Sequence, residues 1–170
     1  MDQKTIARSI TLVLVGTLLT TFNSIGTGWA PTVTAIIGYV FFFQGLGIMK
    51  LYLDEPGKAA VKLLTTAVIL GLIGTVLSLI PVIKIVGSIV LLIAFVFEIL
   101  GFLKLKASET IGVEGQKGVQ FILVYIILVI VAVIIGIIPA IGSLFASVLS
   151  LIGLILLILG WIKVQEGLIK

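Results

Sequence analysis

Between Lys58 and Lys104 the chain runs through two long apolar stretches broken at Ile80-Pro81, and its only charged side chains inside those limits are Lys62, Lys84 and Glu98. An apolar run of ~18 residues or more reads as a membrane span, because ~20 residues at 1.5 Å rise cross a ~30 Å hydrocarbon core. In lipid no water bonds to the backbone, so such a run folds as a helix that satisfies its own peptide groups. Two runs joined by a short proline turn predict an antiparallel helical pair.

The remainder of the chain repeats this pattern. Spans are predicted at about 6–24, 31–50, 59–80, 84–104, 118–138 and 141–162. The connections at 51–58 and 105–117 are charged, whereas those at 24–31, 81–84 and 138–142 are short, rich in Gly, Pro and Ser, and almost uncharged. Composition agrees: 61% of residues are hydrophobic and 11% charged, against roughly 45–50% and 25% in soluble domains. The expectation is an all-α, polytopic membrane protein, with 1–170 as one transmembrane domain. Cysteine and histidine are absent, which removes disulfides, thiol redox chemistry and the usual zinc ligands. No cofactor or metal is expected.

A pI near 9.5 would suit a nucleic-acid partner only if the basic residues formed a patch on a folded face. Here they fall in short loops, so no nucleic acid is expected and the lipid bilayer is the principal partner. Lys4, Arg8, Lys50, Lys58, Lys62, Lys104, Lys106, Lys117, Lys163 and Lys170 lie on the side of the termini, and Lys84 alone lies on the other. By the positive-inside rule both termini face the cytoplasm of a plasma (inner) membrane, with Trp29 and Trp161 at opposite interfaces. Lys4 and Arg8 followed by Ile10–Leu19 also fit a signal peptide, but the repeat makes this span the counterpart of two later ones and favours its retention.

That repeat shows in the lysines: Lys4 and Lys50, Lys58 and Lys104, and Lys117 and Lys163 are each 46 residues apart. In a gapless register Leu46-Gly47, Leu100-Gly101 and Leu159-Gly160 coincide. Three tandem hairpins are expected, over about 4–50, 58–104 and 117–163, packed about a pseudo-threefold axis. Repeats in parallel orientation disfavour an inverted-repeat transporter fold.

Glu98 is the one carboxylate inside a span, and an intramembrane ionisable residue is a functional hypothesis by default. On paired helices Lys62 and Glu98 lie at depths two residues, about 3 Å, apart, where in the gapless register the first repeat has Arg8 and Gln44 and the third has Phe121 and Leu157. This predicts a structural Lys62–Glu98 ion pair, since buried charge is costly without a partner; a proton- or ion-binding Glu98 is the alternative. Thr17, Thr20, Thr21 and Ser24 share one face of the first span and predict either a polar lining or interhelical hydrogen bonds. Gly71 and Gly74, and the ladder Gly142, Ala146 and Ser150, predict close helix packing or self-association. No general base of histidine type and no nucleophile elbow is present, so no catalytic residue is assigned and an enzyme is not expected.

The turns Ile80-Pro-Val-Ile83 with Gly87-Ser88, and Ile138-Pro-Ala-Ile-Gly-Ser143, resemble those of small uncharacterised prokaryotic membrane proteins built of helical hairpins. That resemblance covers about the last two-thirds of the chain and implies no activity. The mitochondrial carriers also have three two-helix repeats, but their charged signature after a proline is missing and these repeats are half as long. Two functions follow from the residues. The first is a membrane-embedded scaffold or partner subunit, acting as a homo-oligomer or with another membrane protein. The alternative is a small channel or transporter for ions or small solutes.

Overall fold

The computed structural model describes residues 3–22, 29–136, 138 and 142–169. These form six α-helices: α1 (Gln3–Phe22), α2 (Trp29–Met49), α3 (Glu55–Ser78), α4 (Lys84–Lys106), α5 (Gly112–Gly136) and α6 (Gly142–Ile169). Short 3₁₀ turns follow α2 at Lys50–Tyr52 and precede α4 at Pro81–Ile83. No strand occurs among the described residues. Five helices, α2 to α6, are long and apolar enough to cross a membrane. The sixth, α1, is less apolar because it carries Lys4, Arg8 and a series of threonines.

Each helix packs most extensively on its neighbour in the chain: α1 on α2, α3 on α4, and α5 on α6. Smaller interfaces join α2 to α3, α4 to α5 and α6 back to α1, so the helices close a ring in chain order. Within each pair a glycine brings the backbones together. A Cβ on Gly45 would lie 2.7 Å from Ser9 O and Val13 N, one on Gly101 would lie 2.6 Å from Leu64 Cγ, and one on Gly160 would lie 2.6 Å from Ile122 Cγ1. Such contacts are what holds helices together in lipid, where no hydrophobic drive separates them from the acyl chains.

These contacts set a register different from the gapless one. Gly47 meets nothing within 4 Å, and Gly45 takes the packed place that Gly101 and Gly160 hold in the other pairs. Leu46 is 0% exposed, whereas Leu100 and Leu159 are 45% and 44% exposed. Matching the contacts instead gives Phe42, Leu46 and Met49 on α2, Glu98, Phe102 and Leu105 on α4, and Leu157, Trp161 and Val164 on α6 as inward stripes at i, i+4 and i+7. All nine are core residues except half-buried Glu98. Val13 and Gly45 are 32 residues apart, while Leu64 and Gly101 are 37 and Ile122 and Gly160 are 38. The first pair is thus shorter across its turn, and a gapless comparison misplaces both of its helices.

The densest core lies at the charged end of the bundle. Trp161 is fully buried there and meets Phe42 (centroids 6.3 Å, 80°) and Phe102 (5.8 Å, 62°) edge to face. This corrects the interfacial placement of Trp161, because the inward stripe of α6 passes through it. Trp29, by contrast, is exposed.

The two charged loops are tied together by Asp54. Its side chain caps α3 by accepting from Gly57 N (2.9 Å), and it also accepts from Ser108 Oγ (2.5 Å) and Glu109 N (2.8 Å). Asp54 N in turn donates to Thr110 Oγ1 (3.0 Å). Asp at the N-cap with Pro56 in the first turn is a helix start legible in the sequence. Burial pushes the Asp54 carboxyl up, but the Ser108 hydroxyl and the surrounding backbone donors outweigh it and hold the group below its ordinary range.

Candidate functional site

The inward stripe of α4 determines where Glu98 points. It stands where α2 has Phe42 and α6 has Leu157, at a position the other two pairs fill with core side chains. A carboxylate cannot complete that packing, and a cavity of about 210 Å³ lies beside it. Thr17 and Thr20 of α1, Tyr39 and Phe42 of α2, Gly71 of α3, and Leu91, Ala94, Phe95 and Glu98 of α4 line this space, together with Ala67 and Val68. From Glu98 to Leu91 it extends ~10 Å along α4 at helical rise. Phe42 forms part of its wall and also touches Trp161, so the aromatic cluster lies next to the cavity on its charged side.

Two tyrosines lie near the carboxylate. Tyr39 crosses from α2 onto α3, where Gly71 makes room: a Cβ there would lie 2.8 Å from Tyr39 Oη. Thr75 of α3, itself buried, lies near its hydroxyl. Tyr125 of α5 packs over Gly153 and comes within 3.3 Å of the Thr21 hydroxyl. Both phenols lie within electrostatic reach of Glu98. Neither tyrosine stands out in the sequence, since an aromatic residue in an apolar helix usually signals only packing or an interface.

The ion pair expected between Lys62 and Glu98 is not formed. Lys62 is exposed on α3, Glu98 faces the interior, and among the described residues no salt bridge joins them. Arg8 and Gln44 are likewise exposed rather than facing each other across a buried contact. The physical reason is the register: with Phe42 rather than Gln44 as the counterpart of Glu98, the carboxylate turns inward. Ion pairs among the described residues include Lys58–Glu55, Lys117–Glu114, Lys163–Glu114 and Lys163–Glu166, all at the charged end.

The threonines of α1 are brought to the cavity in part. Thr17 is buried and donates to Val13 O (2.8 Å), while Thr20 and Thr21 both donate to Thr17 O (2.8 Å). Thr17 and Thr20 line the cavity; Thr21 turns toward Tyr125. Ser24 lies outside the described residues. Gly71 and Gly74 both sit at close contacts, Gly71 under Tyr39 and Gly74 against Leu91 and Gly87. The ladder on α6 behaves differently: Gly142 is buried against Ile135, Ala146 is half-buried and Ser150 is exposed. Further along α6, Gly153, Gly160 and Gly167 sit at close contacts with Tyr125, Gly118 and Gly115.

No group of three His, Cys, Asp or Glu suited to a metal occurs among the described residues. No family model, curated protein or solved structure matches the chain.

Proposed function

We propose that this chain is an integral membrane protein of the channel or transporter class, passing a small solute through the Glu98 cavity. In this reading α1 is a sixth span, and three helix pairs surround a pseudo-threefold axis with both termini at the cytoplasmic face of the plasma (inner) membrane. The matched inward stripes and the closed ring of helices support three copies of one unit. The lysine asymmetry supports the orientation.

One observation carries the functional reading: Glu98 borders a cavity between helix pairs, and no described residue forms a hydrogen bond or ion pair with it. An ionisable group at membrane depth costs several kcal/mol, and those found there typically mark ion or substrate pathways. A purely structural role would be served better by leucine, as at Leu157. The aromatic contact of Phe42, Phe102 and Trp161 would close the cytoplasmic side, so access is alternating or gated rather than through a standing pore.

Flux in proteoliposomes tests this. The wild type should release or take up small cations or protons, and Glu98→Gln should abolish the flux while keeping a monodisperse helical protein. No flux in the wild type would favour the second reading, a scaffold or partner subunit. That reading has its own support in half-buried Ala146 and exposed Ser150 of α6, small residues against which a second copy or another membrane protein would pack.

A further inference from the structure

The lining of the Glu98 cavity is unbalanced in its hydrogen-bonding chemistry. The Thr17 hydroxyl proton is directed to Val13 O and that of Thr20 to Thr17 O, both at 2.8 Å. Tyr39 lines the space as well. The two threonines therefore offer acceptor lone pairs to the cavity beside a carboxylate, which when ionised can only accept. No cationic side chain lines the space. The complementary ligand therefore brings donors and positive charge. An anion would meet Glu98 with nothing to offset the repulsion.

Size and the apolar part of the wall narrow the class. A volume of about 210 Å³ corresponds to roughly seven waters at ~30 Å³ each. Phe42, Phe95, Leu91 and Ala94 supply apolar and aromatic surface on the same wall as the carboxylate. A divalent ion such as calcium takes 6–8 oxygen ligands, commonly from several carboxylates, and this cavity has one. Aromatic faces favour an ammonium group through cation–π attraction, and apolar surface favours a short hydrocarbon tail.

We infer that the cavity is a binding site for a small primary ammonium ion, an alkylamine of a few carbons held by Glu98 and the Thr17 and Thr20 oxygens with its tail against Phe42, Phe95 and Leu91. The inference rests on reading the cavity as a solute site. The ammonium group donates to the carboxylate and to hydroxyl oxygens whose own protons are already committed. Glu98 thus provides charge selectivity, and the short distance from Glu98 to Leu91 limits the tail.

Calorimetry on the protein in nanodiscs tests it, with n-butylammonium as the probe and butanol, butyrate and potassium as comparisons. Butylammonium should bind saturably, and the two isosteres should bind about 10–100-fold more weakly, as expected for loss of a charge-assisted hydrogen bond. Glu98→Gln should weaken butylammonium by a similar factor, and Thr20→Val by a smaller one. Equal binding of butanol, unchanged binding in Glu98→Gln, or tighter binding of potassium than of butylammonium would each overturn the proposal. Should Glu98→Gln fail to fold, the wild type supplies the answer. Butylammonium, and not butanol, should slow labelling of Glu98 by a hydrophobic carbodiimide, read by mass spectrometry; equal rates would overturn it. The two readings fail separately: Glu98-dependent flux without amine binding removes the ligand class alone, and amine binding without flux of any solute removes the transport reading alone.

Discussion

Gly45 and Gly47 lie two residues apart on α2, and replacing each with alanine separates the packed register from the gapless one. A Cβ on Gly45 would stand 2.5 Å from Val13 Cγ2 and 2.7 Å from both Ser9 O and Val13 N, two of the three being backbone atoms that cannot step aside. A Cβ on Gly47 meets nothing within 4 Å. Both substitutions gain the same helix propensity, up to ~1 kcal/mol, and only Gly45→Ala adds overpacking, ~1–3 kcal/mol. Gly47→Ala should therefore be neutral or stabilising, and Gly45→Ala should be less stable than it by about 1–3 kcal/mol. Because propensity cancels between the two, that difference isolates the steric contact. It corresponds to roughly 5–150-fold in the unfolding equilibrium constant. Reversible unfolding in mixed micelles, followed by circular dichroism, measures it. If Gly47→Ala proved the more damaging, the packed face of α2 would be the other one, and the inward placement of Glu98 argued from it would fall.

Asp54→Ala should cost about 2 kcal/mol, the upper end for an N-cap, since Ser108 and Glu109 lose their acceptor as well. The folded Asp54 is more acidic than the unfolded one, so its contribution is present above the ordinary carboxylate value of ~3.9 and is lost as pH falls through the lower folded value; unfolding measured between pH 6 and pH 2 should show an acid-side loss that shrinks in Asp54→Ala. Trp161→Ala should destabilise by roughly 3–5 kcal/mol, as for a large aromatic in a filled core, whereas an interfacial tryptophan would cost far less in the same unfolding assay. In a double-mutant cycle, Lys62→Leu and Glu98→Leu should add within about 0.5 kcal/mol, and a larger coupling would restore the ion pair.

The helices are legible because apolar runs, prolines and charged loops are set by the bilayer and by helix geometry, although α5 begins six residues before its expected span and α6 runs seven residues past its own. The inward face was harder to see. In a soluble helix the core stripe is announced by polar residues opposite it, but in this chain the outward face is also apolar, so Leu46 and Leu100 look alike while one is buried and the other exposed. Trp161 was misplaced for the same reason, its nearness to Lys163 suggesting an interface when its face of α6 points inward. The lysine spacing was a poor ruler: a lysine stem reaches the interface from more than one turn, and the first pair is shorter across its turn by five or six residues than the others. Glu98 was found as the notable charge in the spans, and the Thr17–Thr20 face was found by helical spacing. Tyr39 and Tyr125 are not legible in the sequence, because their approach to Glu98 depends on contacts between helix pairs that no local pattern encodes.

The direct test of the central claim, that Glu98 faces the cavity and not Lys62, uses the absence of native cysteine from the chain. Paired substitutions Thr17→Cys with Glu98→Cys, and Lys62→Cys with Glu98→Cys, would be treated in membranes with a short bifunctional thiol reagent. The first pair should cross-link, joining α1 to α4 across the cavity, and the second should not. Cross-linking of the Lys62 and Glu98 positions alone would contradict the account and return Glu98 to a structural pairing on the outside of the bundle.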